Sequence, residues 1–227
     1  AAILNITNDH LDWHGSTKNY LESKFKIFSN QKSNNFAFLN DKKLVRKFKK
    51  NKYESKLKFV NTKSCKHLHS TIKNSYLNSE SNAENISYVY AFSKLFKIKK
   101  QSFTKSLKSF KGLEHRHEIF YKKKDKVFIN DSKATSFESC RFALKNNKNI
   151  FWILGGLPKL RDKFNLREVK KNIIRAYIVG KHKKYFQGHL KGKVPFELCK
   201  NLKSALTLIF KDIKSIKDKE VTILLSP

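Results

Sequence analysis

Strand-like and helix-like runs alternate along the second half of the chain, and this alternation limits the available folds more than any other feature. HEIFYKKKDKVFIND (117–131) reads as a β-hairpin with its turn in the solvated KKKD run. A helix over 135–146 follows, then a strand over 149–156, a helix over 165–174, a strand over 176–180 and a helix over about 181–190. VPFEL, a helix over 200–213 and a strand over 221–225 close the chain. Strands alternating with helices predict an α/β fold with a parallel sheet covered on both faces. The first half reads as a strand ending in ILNI (3–6), a helix over 19–31, a strand over 36–40, the short basic helix KKLVRKFKKN, a strand over 57–62 and helices over 85–98 and 101–110. Gly112 breaks the helical pattern, so a domain boundary is expected near residue 111.

The formal charge of +32 raises the possibility of nucleic-acid binding. The cations are nearly all Lys, they fall in every expected element, and Phe and Asn are abundant beside them. Nucleic-acid interfaces favour Arg for bidentate contacts. The charge is therefore read as a compositional bias, and neither nucleic acid nor membrane is expected as a partner. No apolar run approaches the ~20 residues that span a bilayer. Three scattered cysteines without a CxxC point to a reducing, cytoplasmic setting. The sequence contains no Met, starts inside a strand-like run and stops just after another, so we expect a fragment of a longer protein.

Chemistry-bearing residues concentrate where strands end. In INDSKATS (129–136) an apolar run gives way to Asp131, Ser132, Lys133 and Thr135 before a helix. Asp, Ser and Thr suit helix capping. Lys133 does not, since a cation is unfavourable at the positive end of a helix dipole, unless an anion also sits there. NITNDHLDWHG (5–15) sets Asp9, His10 and Asp12 at another strand end, where a His can ligate metal. His115 and Arg116 in GLEHRHE (112–118) could grip an anion. Gly155-Gly156 with Lys159 after an apolar strand allows close backbone approach to a ligand. CKHLH (65–69) lacks a second ligand pair at finger-like spacing and reads as surface. No GxGxxG and no GxxxxGK[ST] occurs.

Taken together, these motifs resemble the Mur ligase family. NITNDHLDWHGS with Tyr20 and Lys24 beyond it is similar to the family's N-I-[TE]-x-D-H-[LM]-D stretch and its downstream lysine, and SNAEN to its H-N-x-x-N stretch. GLEHRHE resembles G-L-x-H-R-x-E, INDSKATS resembles the N-D-S-K-A-T-N of the D-glutamate-adding branch, and GGLPKLRDKF resembles the G-G-x-x-K loop. VTILLSP resembles the last strand-loop. Ser81 and Ser136 stand where the family usually has His and Asn.

The resemblance implies that 1–111 is the C-terminal half of a central ATPase domain. It implies that 112–227 is a Rossmann-like, parallel-sheet C-terminal domain that binds glutamate, truncated at its end. The implied activity is ATP-dependent addition of D-glutamate to UDP-N-acetylmuramoyl-L-alanine through an acyl phosphate, by a monomeric cytoplasmic enzyme that uses magnesium (Mg2+). The implied roles are His10 and a carbamylated Lys24 at the metal, both catalytic; Asn82 and Asn85 near adenine; Arg116 near phosphate and ribose; Asp131 on ribose hydroxyls; and Lys133, Thr135 and Lys159 on D-glutamate. A basic nucleic-acid-binding protein and an inactive remnant are the alternatives. A chain lacking the P-loop is expected to be inactive alone.

Overall fold

The computed structural model describes residues 1–6, 11–62, 72, 74, 76, 77, 80–159, 162, 164–216 and 219–226. They form two compact units, Ala1–Lys111 and Gly112–Pro227.

In the first unit, Phe36–Leu39 (β2) lies between Ala2–Ile3 (β1) and Lys56–Phe59 (β3), all parallel. Side chains alternate across a strand, and β2 uses both faces. Ala37 and Leu39 join Ile3, Phe25, Phe28, Leu44 and Phe48 in one cluster, while Phe38 joins Val60 and Tyr88 in another. Behind the first cluster lie two helices that follow the short Leu11–His14 (α1): Thr17–Phe25 (α2) and Lys42–Lys50 (α3). Each starts on a capping side chain, Ser16 accepting from the Asn19 N–H and Asp41 from those of Lys43 and Leu44. Glu80–Leu95 (α4) brings Tyr88 to the second cluster, and the Tyr88 hydroxyl donates to the Ile3 carbonyl at 2.8 Å. Lys100–Ser109 (α5) packs Phe103 against Ile72, Leu77 and Ile86.

The second unit is a six-stranded sheet. Its strands are Glu118–Lys123 (β4), Lys126–Asn130 (β5), Ile150–Gly155 (β6), Ile173–Val179 (β7), Phe196–Leu198 (β8) and Val221–Leu225 (β9), in the order β4-β5-β9-β6-β7-β8. Only the β4–β5 pair is antiparallel, closed by a turn at Lys124-Asp125. The last strand is thus inserted between β5 and β6. Phe137–Asn146 (α6) and Lys183–Leu190 (α7) cover the face that carries Val127, Ile129, Trp152, Leu154, Ala176 and Ile178. Leu202–Ile213 (α8) covers the opposite face with Ala205, Ile209 and Ile213 against Phe151, Ile153, Tyr177 and Ile223. Every residue of β6 is buried, as a central parallel strand covered on both sides requires.

Most expected elements are present with shifted ends, but 165–174 is not an α-helix. Leu166, Val169 and Ile173 have helical spacing, yet the chain makes a turn, a short 3-10 segment (Lys170–Asn172) and then β7. Asn172 explains the stop. Its side-chain amide donates to the Leu144 carbonyl at 2.9 Å and so caps the end of α6. Ile173 and Ile174 then continue in the extended conformation that suits β-branched residues. The first-unit helix expected over 19–31 is also shorter, since α2 ends at Phe25 and a 3-10 turn (Lys26–Phe28) seats Phe28 in the core.

At Gly155, the end of β7 leaves no room for a side chain. A Cβ there would meet the Val179 carbonyl oxygen at 2.2 Å and its carbon at 2.9 Å, both backbone atoms of a buried strand. Gly155→Ala is expected to lower stability by about 3 kcal/mol, as overpacking with no flexible neighbour does. Gly188→Ala in α7, where nothing lies within 4 Å of the added carbon, should be neutral or stabilising by up to ~1 kcal/mol. Chemical unfolding of both variants checks the contrast.

Candidate active site

The carboxyl ends of β5 and β9 hold a cluster centred on Asp131. Its backbone N–H donates to the Leu225 carbonyl at 2.8 Å, continuing the β5–β9 ladder by one residue. Its carboxylate accepts the His117 backbone N–H at 2.9 Å and the Ser226 hydroxyl at 3.1 Å. Burial pushes the Asp131 carboxyl above the usual carboxylate range, and these two bonds and Arg116 oppose that shift. Ser226 is fixed in turn: its N–H donates to the Ile153 carbonyl at 3.1 Å, and its carbonyl accepts from the Trp152 indole at 2.9 Å.

The 112–118 segment folds back onto this cluster. Gly112, His115 and His117 all have positive φ, at 85°, 64° and 49°, conformations that are costly outside Gly and accumulate at functional sites. The His115 carbonyl accepts the Lys133 N–H at 3.1 Å, and its ring nitrogen meets the Asn130 side-chain amide at 2.8 Å. The Lys133, Thr135 and Arg116 side chains are exposed around a buried Asp131. The structure thus brings Arg116, Asp131, Lys133 and Thr135 to one end of the sheet.

The start of α6 is met by an anion that the chain itself supplies. The Asp162 carboxylate accepts the Phe137 N–H at 2.7 Å. Ser136 caps the helix through a reciprocal box with Ser139. Lys133 and Thr135 precede this cap, and their side chains are exposed. Lys159 follows Gly155-Gly156 and is partly buried in the loop that leads to Asp162.

In the first unit, Asn82 and Asn85 lie one turn apart on α4. The Asn85 side-chain amide donates to the Asn82 oxygen at 3.3 Å, and Asn82 donates to the Tyr76 carbonyl. Lys24, in the last turn of α2, is exposed, with its Nζ 5.2 Å from the centre of the Tyr20 ring. His10 and the CKHLH segment lie outside the described residues. Among the described residues no group of three His, Cys, Asp or Glu could hold a metal ion, and no helix is long and apolar enough to cross a membrane.

Sequence reading assigned no role to Asp162, Ser226 or His117. All three stand within the motif stretches, but their partners are distant in sequence, and nothing local marks them. The His117 ring is half-buried against Phe142, with its Nδ1 lacking a hydrogen-bond partner among the described residues. Burial lowers its pKa. The unfolded chain therefore takes up a proton near pH 6.5 that the folded chain resists, so the stability His117 contributes is full above about pH 6.5 and is lost as pH falls. Urea midpoints should drop between about pH 8 and pH 5, and His117→Phe should reduce that drop. An equal drop in the variant would assign it to other groups.

The sequence and fold have clear relatives. The family model described as Mur ligase middle domain matches residues 1–110. The UDP-N-acetylmuramoylalanine–D-glutamate ligase of Wolbachia sp. subsp. Brugia malayi is 34% identical over an alignment that covers 100% of this chain and 48% of that protein. The ligase of the same name from Rickettsia felis is 31% identical, with 100% and 55% covered. The chain thus spans about half the length of these curated relatives. Among solved structures, MurF from Acinetobacter baumannii matches with a TM-score of 0.72 at 14% identity, over 99% of this chain and 56% of that one. UDP-N-acetylmuramate-alanine ligase MurC from Thermotoga maritima matches with a TM-score of 0.57 at 16% identity, over 99% and 55%. These two likenesses concern the fold, whereas the sequence relatives match this chain from end to end. Residues 1–110 thus match the Mur ligase middle domain, and the chain is similar in sequence to Mur ligases over its full length.

Proposed function

We propose that this chain carries part of the machinery of an ATP-dependent ligase that joins D-glutamate to UDP-N-acetylmuramoyl-L-alanine in peptidoglycan precursor synthesis. The observation that carries this reading is the 131–136 loop. It exposes Lys133 and Thr135 beside a buried, hydrogen-bonded Asp131, in a chain 34% identical over its whole length to a relative named for this reaction. We further propose that residues 1–111 contribute to the ATP-binding domain and residues 112–227 to the glutamate-binding domain.

ATP, when bound, supplies the phosphoryl group that activates the carboxylate of the UDP-linked alanine. The chain's own residues bind and orient. Lys133, Thr135 and Lys159 hold the carboxylates of D-glutamate by charge-assisted hydrogen bonds, which aims its amine. Arg116, exposed, faces phosphate and ribose. The Asp131 oxygens each hold one donor and keep acceptor capacity for a ribose hydroxyl. Asn82 and Asn85 share one face of α4 and offer the paired donors and acceptors that suit an adenine edge. His10 and a carbamylated Lys24 would hold a magnesium ion that neutralises phosphate charge. Cys140 and Cys199 are free and buried, which fits a cytoplasmic enzyme.

The test is amino-acid-dependent ADP release by the whole enzyme with the UDP-linked acceptor. Stimulation specific to D-glutamate is expected, and equal stimulation by other amino acids would overturn the reading. Thr135→Ala or Lys159→Ala should raise the KM for D-glutamate about tenfold, as loss of one charge-assisted bond of ~1.5–3 kcal/mol implies, with the KM for ATP little changed. A raised ATP KM with an unchanged D-glutamate KM would reverse these assignments.

A further inference from the structure

We infer that Asp162 is a positioning residue that sets D-glutamate affinity by locking the Lys159 loop onto the start of α6, an inference that rests on the function proposed above. Between Gly156 and the 3-10 turn at Lys170, where the chain crosses from β6 to β7, none of the described residues lies in an α-helix. The Asp162 N–H donates to the Lys159 carbonyl at 3.2 Å, so the two residues belong to one hydrogen-bonded turn, and the position of that turn against the sheet depends on tertiary ties. Two ties are present just beyond Lys159. The Asp162 carboxylate accepts the Phe137 N–H at 2.7 Å. The Phe164 ring stacks on Phe137 at 4.8 Å and on His189 at 4.6 Å, with Tyr185 and Phe186 edge-on at 6.0 Å each.

Both ties converge on Phe137, the first residue of α6 and two residues beyond Thr135. One carboxylate therefore couples the loop that carries Lys159 to the loop that carries Lys133 and Thr135. The bond is charge-assisted and stands at the positive end of a helix dipole, the two conditions that strengthen it. A dicarboxylic amino acid gripped from both loops gains from this coupling because the spacing of its cationic partners is set before it binds. Phe164 lies two residues beyond Asp162, so the carboxylate is the tie nearer to Lys159. Asp162 itself does not need to touch the substrate.

The test compares Asp162→Ala and Asp162→Asn with Thr135→Ala in the whole enzyme. Asn keeps an oxygen that can accept the Phe137 N–H, whereas Ala keeps none. Asp162→Ala should raise the KM for D-glutamate about tenfold, as loss of one charge-assisted bond implies, while the KM values for ATP and the UDP-linked acceptor move less than about twofold. Asp162→Asn should restore most of the D-glutamate affinity. Hydrogen exchange at the Phe137 amide should be at least about tenfold faster in the Ala variant and near wild type in the Asn variant.

An unchanged D-glutamate KM in Asp162→Ala with a raised one in Thr135→Ala would overturn the inference and leave the functional reading standing. So would an Asn variant as impaired as the Ala variant, or three KM values that rise together. A wild-type enzyme with no response to D-glutamate would instead remove the functional reading on which the inference rests.

Discussion

Lys24→Ala should reduce ligation by the whole enzyme about 100- to 1000-fold, the range seen when one preorganised electrostatic group is lost from an active site. The chain should nevertheless stay folded. Lys24 is exposed in the last turn of α2, and its charged end lies over the Tyr20 ring rather than in the core. Exposed substitutions of this kind change stability by about 0.5 kcal/mol or less, so lost turnover with an unchanged unfolding midpoint would be chemical in origin. The proposed chemistry is attack of the neutral Lys24 amine on carbon dioxide. The Lys24 ammonium first gives up one proton; as the N–C bond forms, a C–O π pair of carbon dioxide moves onto oxygen and a second proton leaves the nitrogen, which gives an anionic carbamate able to face a metal ion. Short carboxylic acids should then restore part of the Lys24→Ala activity by supplying the missing oxygens. A fully active Lys24→Ala enzyme, or one that no carboxylate rescues, would count against the carbamate.

Trp152→Ala should cost the second unit about 3–5 kcal/mol, the range for deleting a large buried aromatic side chain. That is a large share of the 5–15 kcal/mol by which domains are usually stable. Trp152 is 1% exposed at the centre of β6, packs near Phe137, and donates its indole N–H to the Ser226 carbonyl. Trp152→Phe separates the two contributions. It keeps most of the apolar packing and leaves the buried Ser226 carbonyl without its donor, for an expected cost of about 1–3 kcal/mol. Ser226 also holds Asp131, so the Phe variant should loosen the 131–136 loop and weaken D-glutamate binding. Urea unfolding of the second unit and the D-glutamate KM measure the two effects. A Phe variant indistinguishable from wild type in both would show that the indole bond contributes nothing to either.

The alternation of elements was legible because each element has its own period. The apolar run of β6, the amphipathic spacing of α6 and α8, and the polar residues where β5 ends are local patterns. The segment at 165–174 misled for the same reason. Leu166 and Val169 are spaced as in a helix, but they dock one turn into the core, and the Asn172 side chain then spends itself on the end of α6.

Of the candidate residues, the sequence alone determined which were present and in what order: Lys133 and Thr135 before a helix, Lys159 after a Gly pair, Arg116 near the break at Gly112. Only the tertiary structure decided which of them are neighbours. The insertion of β9 between β5 and β6 sets Ser226 against Asp131, 95 residues away, and the β6–β7 crossover carries Asp162 to Phe137, 25 residues away. Those pairings follow from sheet order, which depends on how apolar faces are buried together across the whole unit. A period of two or 3.6 residues reports which face an element buries, but not which other strand or loop it meets there.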